Sequence, residues 1–126
     1  MPIRIDKHCR LDPAPQDGTR ILVMRYWPRG VKRERFDEWI RDLAPSAELL
    51  RWCWAQTADP SHDPETYART WKTLYVAEMS QQGDLIVSLR HRHEAGEVLT
   101  LLCACHDPAG CHRKVLASLI LGKATD

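Results

Sequence analysis

The sequence predicts an α/β fold: a small, mainly parallel sheet of three or four strands with helices on both faces. Three observations carry that reading. Two apolar runs of strand length, Arg20–Arg25 (with Ile21, Leu22, Val23 and Met24 inside) and Val98–Cys105, show no helical period. The segments between them carry apolar residues at helical spacing, the pattern of strands joined by helical crossovers. Each run also empties into a turn, Tyr26-Trp27-Pro28-Arg29-Gly30 after the first and Asp107-Pro108-Ala109-Gly110 after the second. In a parallel sheet those turns share the carboxyl edge, where ligands usually sit.

Taken in order, Ile3–Ile5 is the least certain strand, with Ile3 and Ile5 alternating with polar neighbours. Leu11–Gly18 is a proline-broken loop ending in an Asp-Gly turn, and Arg20–Arg25 is the second strand. Phe36, Trp39, Ile40 and Leu43 give the stripe of an amphipathic helix, stopped before Pro45. Ser46 is a good N-cap for a short helix carrying Leu49, Leu50, Cys53 and Trp54. Asp63 and Pro64 read as N-cap and first residue of the next, which should bury Tyr67, Trp71, Leu74, Tyr75 and Met79. Gly83 breaks it, Leu85, Ile86 and Leu89 carry another helix to about His93, and Ala95-Gly96 ends that one. Val98–Cys105 reads as a strand buried on both faces. Val115, Leu116, Leu119 and Ile120 then mark a helix from about Gly110 to Leu121. An earlier start, with Asp107 as N-cap and Pro108 as first residue, is the alternative; the later start is preferred.

At 126 residues the chain is expected to be a single domain, 1–126, large enough for its own core. A net charge of +1 gives no global pull on nucleic acid, which is not favoured as a partner. Two local basic clusters, Arg29–Arg35 and Arg90–His93, read as solvated helix faces before phosphate patches. No apolar stretch approaches the ~20 residues of a membrane span. The start lacks the apolar region of a signal peptide, and the five cysteines are an odd set without a disulfide framework. A cytoplasmic location with reduced thiols is the expectation.

The matching pieces Asp17-Gly18-Thr19-Arg20-Ile21-Leu22-Val23, Arg25-Tyr26-Trp27-Pro28-Arg29-Gly30-Val31, Asp37-Glu38-Trp39-Ile40 and Leu43-Ala44-Pro45-Ser46 resemble the domain of unknown function 488 family (DUF488) in its short YeaO-like branch. Glu48-Leu49, Trp52, Leu101–Cys105, Asp107-Pro108 and Cys111-His112-Arg113 extend the resemblance over nearly the whole chain. The family has no settled activity, so the resemblance implies a fold and a shared site but no reaction. One departure stands out: similar members usually carry an aspartate before the arginine that is Arg25 here, and this chain has Met24.

The candidate site gathers at the two turns. Arg25, Arg29 and Arg113 suit an anion clamp, because planar guanidinium forks match phosphate or carboxylate. Trp27 could stack on a flat ring or simply pack, and Cys105 is placed with the ligand-binding residues. Cys111 at a helix start near Arg113 would have a lowered pKa, and His112 is a candidate acid or base. Cys103, Cys105, Cys111 and His112 invite a zinc reading. Their spacing lacks the usual knuckle, however, and adjacent Cys111 and His112 would diverge on a helix. No metal and no cofactor are therefore expected. A thiol phosphatase is excluded too, since seven residues separate Cys105 from Arg113 where that pattern needs five. The sequence leaves two functions: a small enzyme acting on a phosphate- or carboxylate-bearing, nucleotide-like substrate, or a non-catalytic module that senses such an anion.

Overall fold

The computed structural model describes residues 3–105 and 111–123. Three parallel strands, β1 (Thr19–Leu22), β2 (Glu38–Trp39) and β3 (Leu99–Leu102), form a sheet in the order β2-β1-β3. Thr19 pairs with Leu99 and Leu22 with Leu102, while Ile21 and Leu22 pair with Glu38 and Trp39 on the other side. The N-terminal segment runs parallel beside the free edge of β3. Arg4 N–H donates to Leu99 O (3.0 Å), Leu101 N–H to Arg4 O (2.8 Å) and Cys9 N–H to Cys103 O (2.9 Å). Isolated bridges, not a full strand, are what the expected Ile3–Ile5 strand becomes.

The α/β class and the small parallel sheet are as predicted; the cover of its two faces is less symmetric. Helices α1 (Ala47–Ala58), α2 (Pro64–Met79), α3 (Gly83–Glu94) and α4 (His112–Leu121) all bury residues in one cluster with Ile21, Val23, Leu99 and Leu101. Leu22 and Leu102 point the other way, as strand alternation requires, against Cys9, Met24, Trp27, Phe36 and Trp39. Loops and short 3₁₀ turns, not α-helices, cover that second face.

The expected helix over 36–43 is the clearest correction. Phe36 and Trp39 pack on the second face, whereas Ile40 and Leu43 join the helix-side core. The stripe is thus divided between the two faces of the sheet. The exposed edge of β1 captures this stretch: Asp37 N–H donates to Arg20 O (2.9 Å) and Ile40 N–H to Leu22 O (3.0 Å). Pairing an otherwise open edge satisfies backbone groups that a two-turn helix could satisfy only partly. Only a single 3₁₀ turn, Arg41–Leu43, remains helical before Pro45.

The helix caps follow the sequence. Ser46 Oγ accepts from Leu49 N–H (3.0 Å), and Ser46 N–H donates to Glu78 Oε1 (2.9 Å), tying α1 to α2. The Asp63 carboxylate accepts from Glu65 N–H (3.3 Å) and Thr66 Oγ1 (2.6 Å) ahead of Pro64. α2 buries Tyr75 and Met79, but Leu74 is exposed. The later start of the last helix is the observed one, with Cys111 at the N-cap. Asp107 to Gly110 lies outside the described residues.

A buried ion cluster closes the amino end of the sheet. Asp17 is fully buried and accepts from Arg4 Nη1 (3.0 Å), Lys7 Nζ (2.9 Å), Ala14 N–H (3.0 Å) and Arg20. Gly18 follows at φ 63°, and a Cβ there would fall on the Val98 carbonyl, 2.5 Å from the Val98 Cβ. Both the left-handed backbone and the close approach require glycine. Arg90 and Arg92 of the basic run 90–93 are likewise committed internally. Arg90 caps α4 by donating to Ile120 O (2.8 Å) and Leu119 O (2.9 Å), while Arg92 pairs with Glu38 and Glu97.

Candidate functional site

At the carboxyl edge, β1, β3 and α4 meet. Strand β3 carries Cys103 onto the helix side of the sheet, one alternation beyond Leu101, and Cys105 follows it. Helix α4 begins directly after Cys111, whose extended backbone (φ −105°, ψ 154°) turns its thiol back toward the strand end. His112 Nε2 lies 2.6 Å from Val23 O. A carbonyl only accepts, so Nε2 carries the proton and, in the neutral ring, Nδ1 presents its lone pair. That Nδ1 is 3.5 Å from Cys111 Sγ. Tyr75 packs edge-on to the imidazole at 5.6 Å, and its hydroxyl donates to Leu43 O (2.7 Å). The ring is held on both sides.

Cys111 Sγ is the hub of this arrangement. Hydrogen bonds from the Cys103 and Cys105 thiols lower its pKa against the opposing effect of burial. Arg113 Nε also donates to it (3.4 Å). Its neighbours hold their own protons more tightly. Cys103 is raised, first by its bonds to Cys105 and Cys111. Cys105 is pushed up to about 11, where the bond to Cys111 and burial outweigh the lowering bond with Cys103. The Cys103 and Cys105 sulfurs are 3.8 Å apart, and the ligand atoms of Cys103, Cys111 and His112 all lie within 4.8 Å of one another. The divergence expected of adjacent Cys111 and His112 does not occur, because Cys111 is the extended N-cap and not a helical residue. The spacing argument against a metal therefore fails in three dimensions.

This cluster forms one wall of a cleft of about 640 Å³ between α1, α2 and α4. Cys105, Cys111 and His112 line it, opposite Trp54, Tyr67 and Trp71, and Lys72 and Lys114 supply cations. Trp54 is 60% exposed, an unusual position for so large an apolar ring. The volume lies in the range of small-molecule sites. No aspartate or glutamate is among the described residues that line it.

The expected arginine clamp is not assembled there: none of Arg25, Trp27, Arg29 and Arg113 lines the cleft. Arg113 is 1% exposed and donates to Lys7 O (2.5 Å) and Cys105 O (2.9 Å), besides Cys111, so it ties the N-terminal segment to the end of β3. Arg25 donates to Pro45 O (3.1 Å) and Ala44 O (3.2 Å), with Asp42 at 3.8 Å. Arg29 is exposed, and its carbonyl accepts from Arg10. Trp27 sits on the second face, edge-on to Phe36 (5.4 Å) and Trp39 (5.2 Å), its indole N–H donating to Val31 O (2.7 Å). Trp27 is a packing residue. Met24 packs in the same cluster, and Arg25 is oriented by carbonyls and Asp42 without an adjacent carboxylate. Sequence reasoning missed Trp54, Tyr67, Trp71, Lys72 and Lys114 as cleft-lining residues. The aromatics had been assigned to helix core faces, and nothing local distinguishes a helix face that borders a cleft from one that is buried.

A small α/β protein with a Cys-His-walled cleft at the carboxyl edge of a parallel sheet is the class that fold and site define. Residues 5–124 match the family described as the active DUF488-N3 subclade, and the chain belongs to the DUF488 family, YeaO-like branch. It is 36% identical to the uncharacterised protein YeaO of Escherichia coli over 112 residues, covering 84% of this chain and 87% of that protein. Uncharacterised proteins Mb3100c of Mycobacterium bovis and Rv3073c of Mycobacterium tuberculosis are each 33% identical over 114 residues, covering 89% of this chain and 88% of theirs. No solved structure matches. Among the described residues, no helix is long and apolar enough to cross a membrane.

Proposed function

We propose that this protein is a small enzyme acting on a ring-bearing anion, nucleotide-like in having a flat ring and a phosphate or carboxylate. The chemistry is assigned to Cys111 and His112. One observation carries the reading: aromatic rings, two lysines and a Cys-His wall converge on a single cleft. Trp54 and Trp71 offer faces for a planar ring. Lys72 and Lys114 offer charge-assisted contacts to the anion, the role the sequence had suggested for Arg25, Arg29 and Arg113. His112, with its tautomer fixed by Val23 O, is oriented for proton transfer at the cleft wall.

The test is a thermal-shift survey of nucleosides, nucleotides, inorganic phosphate and small carboxylates, followed by turnover assays on every stabilising compound. A nucleotide should stabilise more than its nucleoside and quench tryptophan fluorescence, and Lys114→Ala should weaken it about tenfold. The absence of a carboxylate from the described lining favours, as a second reading, a non-catalytic anion-sensing module. Stabilisation without turnover of any binding compound would select that module; no stabilisation by any member of the set would remove both.

A further inference from the structure

We infer that Cys103, Cys111 and His112 form a zinc site whose fourth position faces the cleft, where Cys105 stands beside it. Zinc bound tetrahedrally, at about 2.3 Å from sulfur and 2.0–2.1 Å from nitrogen, separates two sulfurs by about 3.8 Å and a sulfur from a nitrogen by about 3.5 Å. The observed Cys103–Cys105 separation is 3.8 Å and the Cys111–His112 Nδ1 separation is 3.5 Å. Two edges of the tetrahedron are already drawn to length. All three primary ligand atoms come from buried residues and lie within 4.8 Å of one another.

Two further features suit an ion there. His112 donates Nε2–H to Val23 O, which turns the Nδ1 lone pair toward Cys111 and supplies the outer-shell contact that metal-bound histidines almost always make. Arg113 is a buried cation that, among the described residues, meets carbonyls and Cys111 but no carboxylate. A buried charge needs a counter-charge. Zinc with two thiolates is neutral, and a third thiolate from Cys105 leaves one negative charge beside the guanidinium. Three cysteine sulfurs and one imidazole nitrogen are the donor set of zinc, not of calcium or magnesium, which take oxygen.

The metal site does not depend on the enzyme reading: with the ion bound, Cys111 Sγ and His112 Nδ1 are its ligands, and the roles proposed for them above belong to the metal-free protein. The experiment uses the full chain stripped with a chelator and reloaded with Zn(II) or Co(II), independently of any cleft ligand. The expected result is one metal per chain. With Co(II), a tetrahedral visible spectrum should appear together with sulfur-to-cobalt charge-transfer absorption, and Zn(II) should displace it. Cys111→Ser and His112→Ala should each lose the metal and Cys105→Ser should bind it more weakly, while Cys53→Ala keeps it. The wild-type cobalt spectrum decides the matter even if a variant does not fold. An octahedral, thiolate-free spectrum, no binding at equimolar metal, or full retention by a folded Cys111→Ser variant would overturn the site. Nucleotide stabilisation measured on the stripped and the loaded protein keeps failure of the cleft reading separate from failure of this one.

Discussion

Replacing Asp17 with asparagine removes the carboxylate on which Arg4, Lys7 and Arg20 converge. The Arg20 and Lys7 side chains are 5% and 13% exposed, so they cannot recover much hydration after the loss. Breaking one partner out of a buried pair costs about 3–5 kcal/mol. Arg4, at 27%, can partly rehydrate, which points to the lower end, about 3 kcal/mol. The pH dependence gives an independent handle. Burial alone would raise the Asp17 pKa, but hydrogen bonds from Lys7, Ala14 and Arg20 overcome it and hold the carboxyl at about 2, below its ordinary 3.8. The folded value is the lower one, so the contribution is complete above 3.8 and fades as pH falls through about 2. Protonation therefore removes about 2 kcal/mol across that window. Urea midpoints of wild type and Asp17→Asn, measured from pH 7 down to pH 2, should differ most at neutral pH and converge in acid. A constant difference across the range, or none at pH 7, would refute a charged, tightly paired Asp17.

Three other outcomes follow from the packing. Gly18→Ala should lower stability by about 1–3 kcal/mol, from left-handed strain and the collision with Val98, while Gly30→Ala should lose less because its Cβ meets open space; matched denaturation curves check this. Arg113→Ala should destabilise the fold by about 3 kcal/mol or more, leaving Lys7 O and Cys105 O without their donor; an unchanged midpoint with weakened nucleotide affinity would restore the anion-clamp reading. Leu116→Ala, at a fully buried site, should cost about 2–5 kcal/mol, whereas Leu74→Ala at its exposed position should stay within about 0.5 kcal/mol, read from the same midpoints.

The sequence by itself determined the parallel α/β class, the strand cores, the capped helices at Ser46 and Asp63, and the family. These are local or near-local properties: continuous apolar runs, side-chain oxygens that reach their own helix N–H groups, and short motifs. It also located Cys111 and His112 at the carboxyl edge, since strand-then-turn-then-helix is written in consecutive residues. Tertiary structure decided the rest. Phe36–Leu43 has a helical stripe, yet an open strand edge far away in sequence made it strand and 3₁₀ turn. Arg113 looks like a surface arginine until Lys7 O, more than a hundred positions earlier, is seen to accept from it. The cleft needs α1, α2 and α4 together, so Trp54, Trp71 and Lys114 read as ordinary helix residues until those helices pack. Cys103, Cys111 and His112 have awkward spacing for a metal because spacing measures path along the chain. Metal ligation depends on distance in space, which the extended N-cap at Cys111 and the bond from His112 to Val23 set.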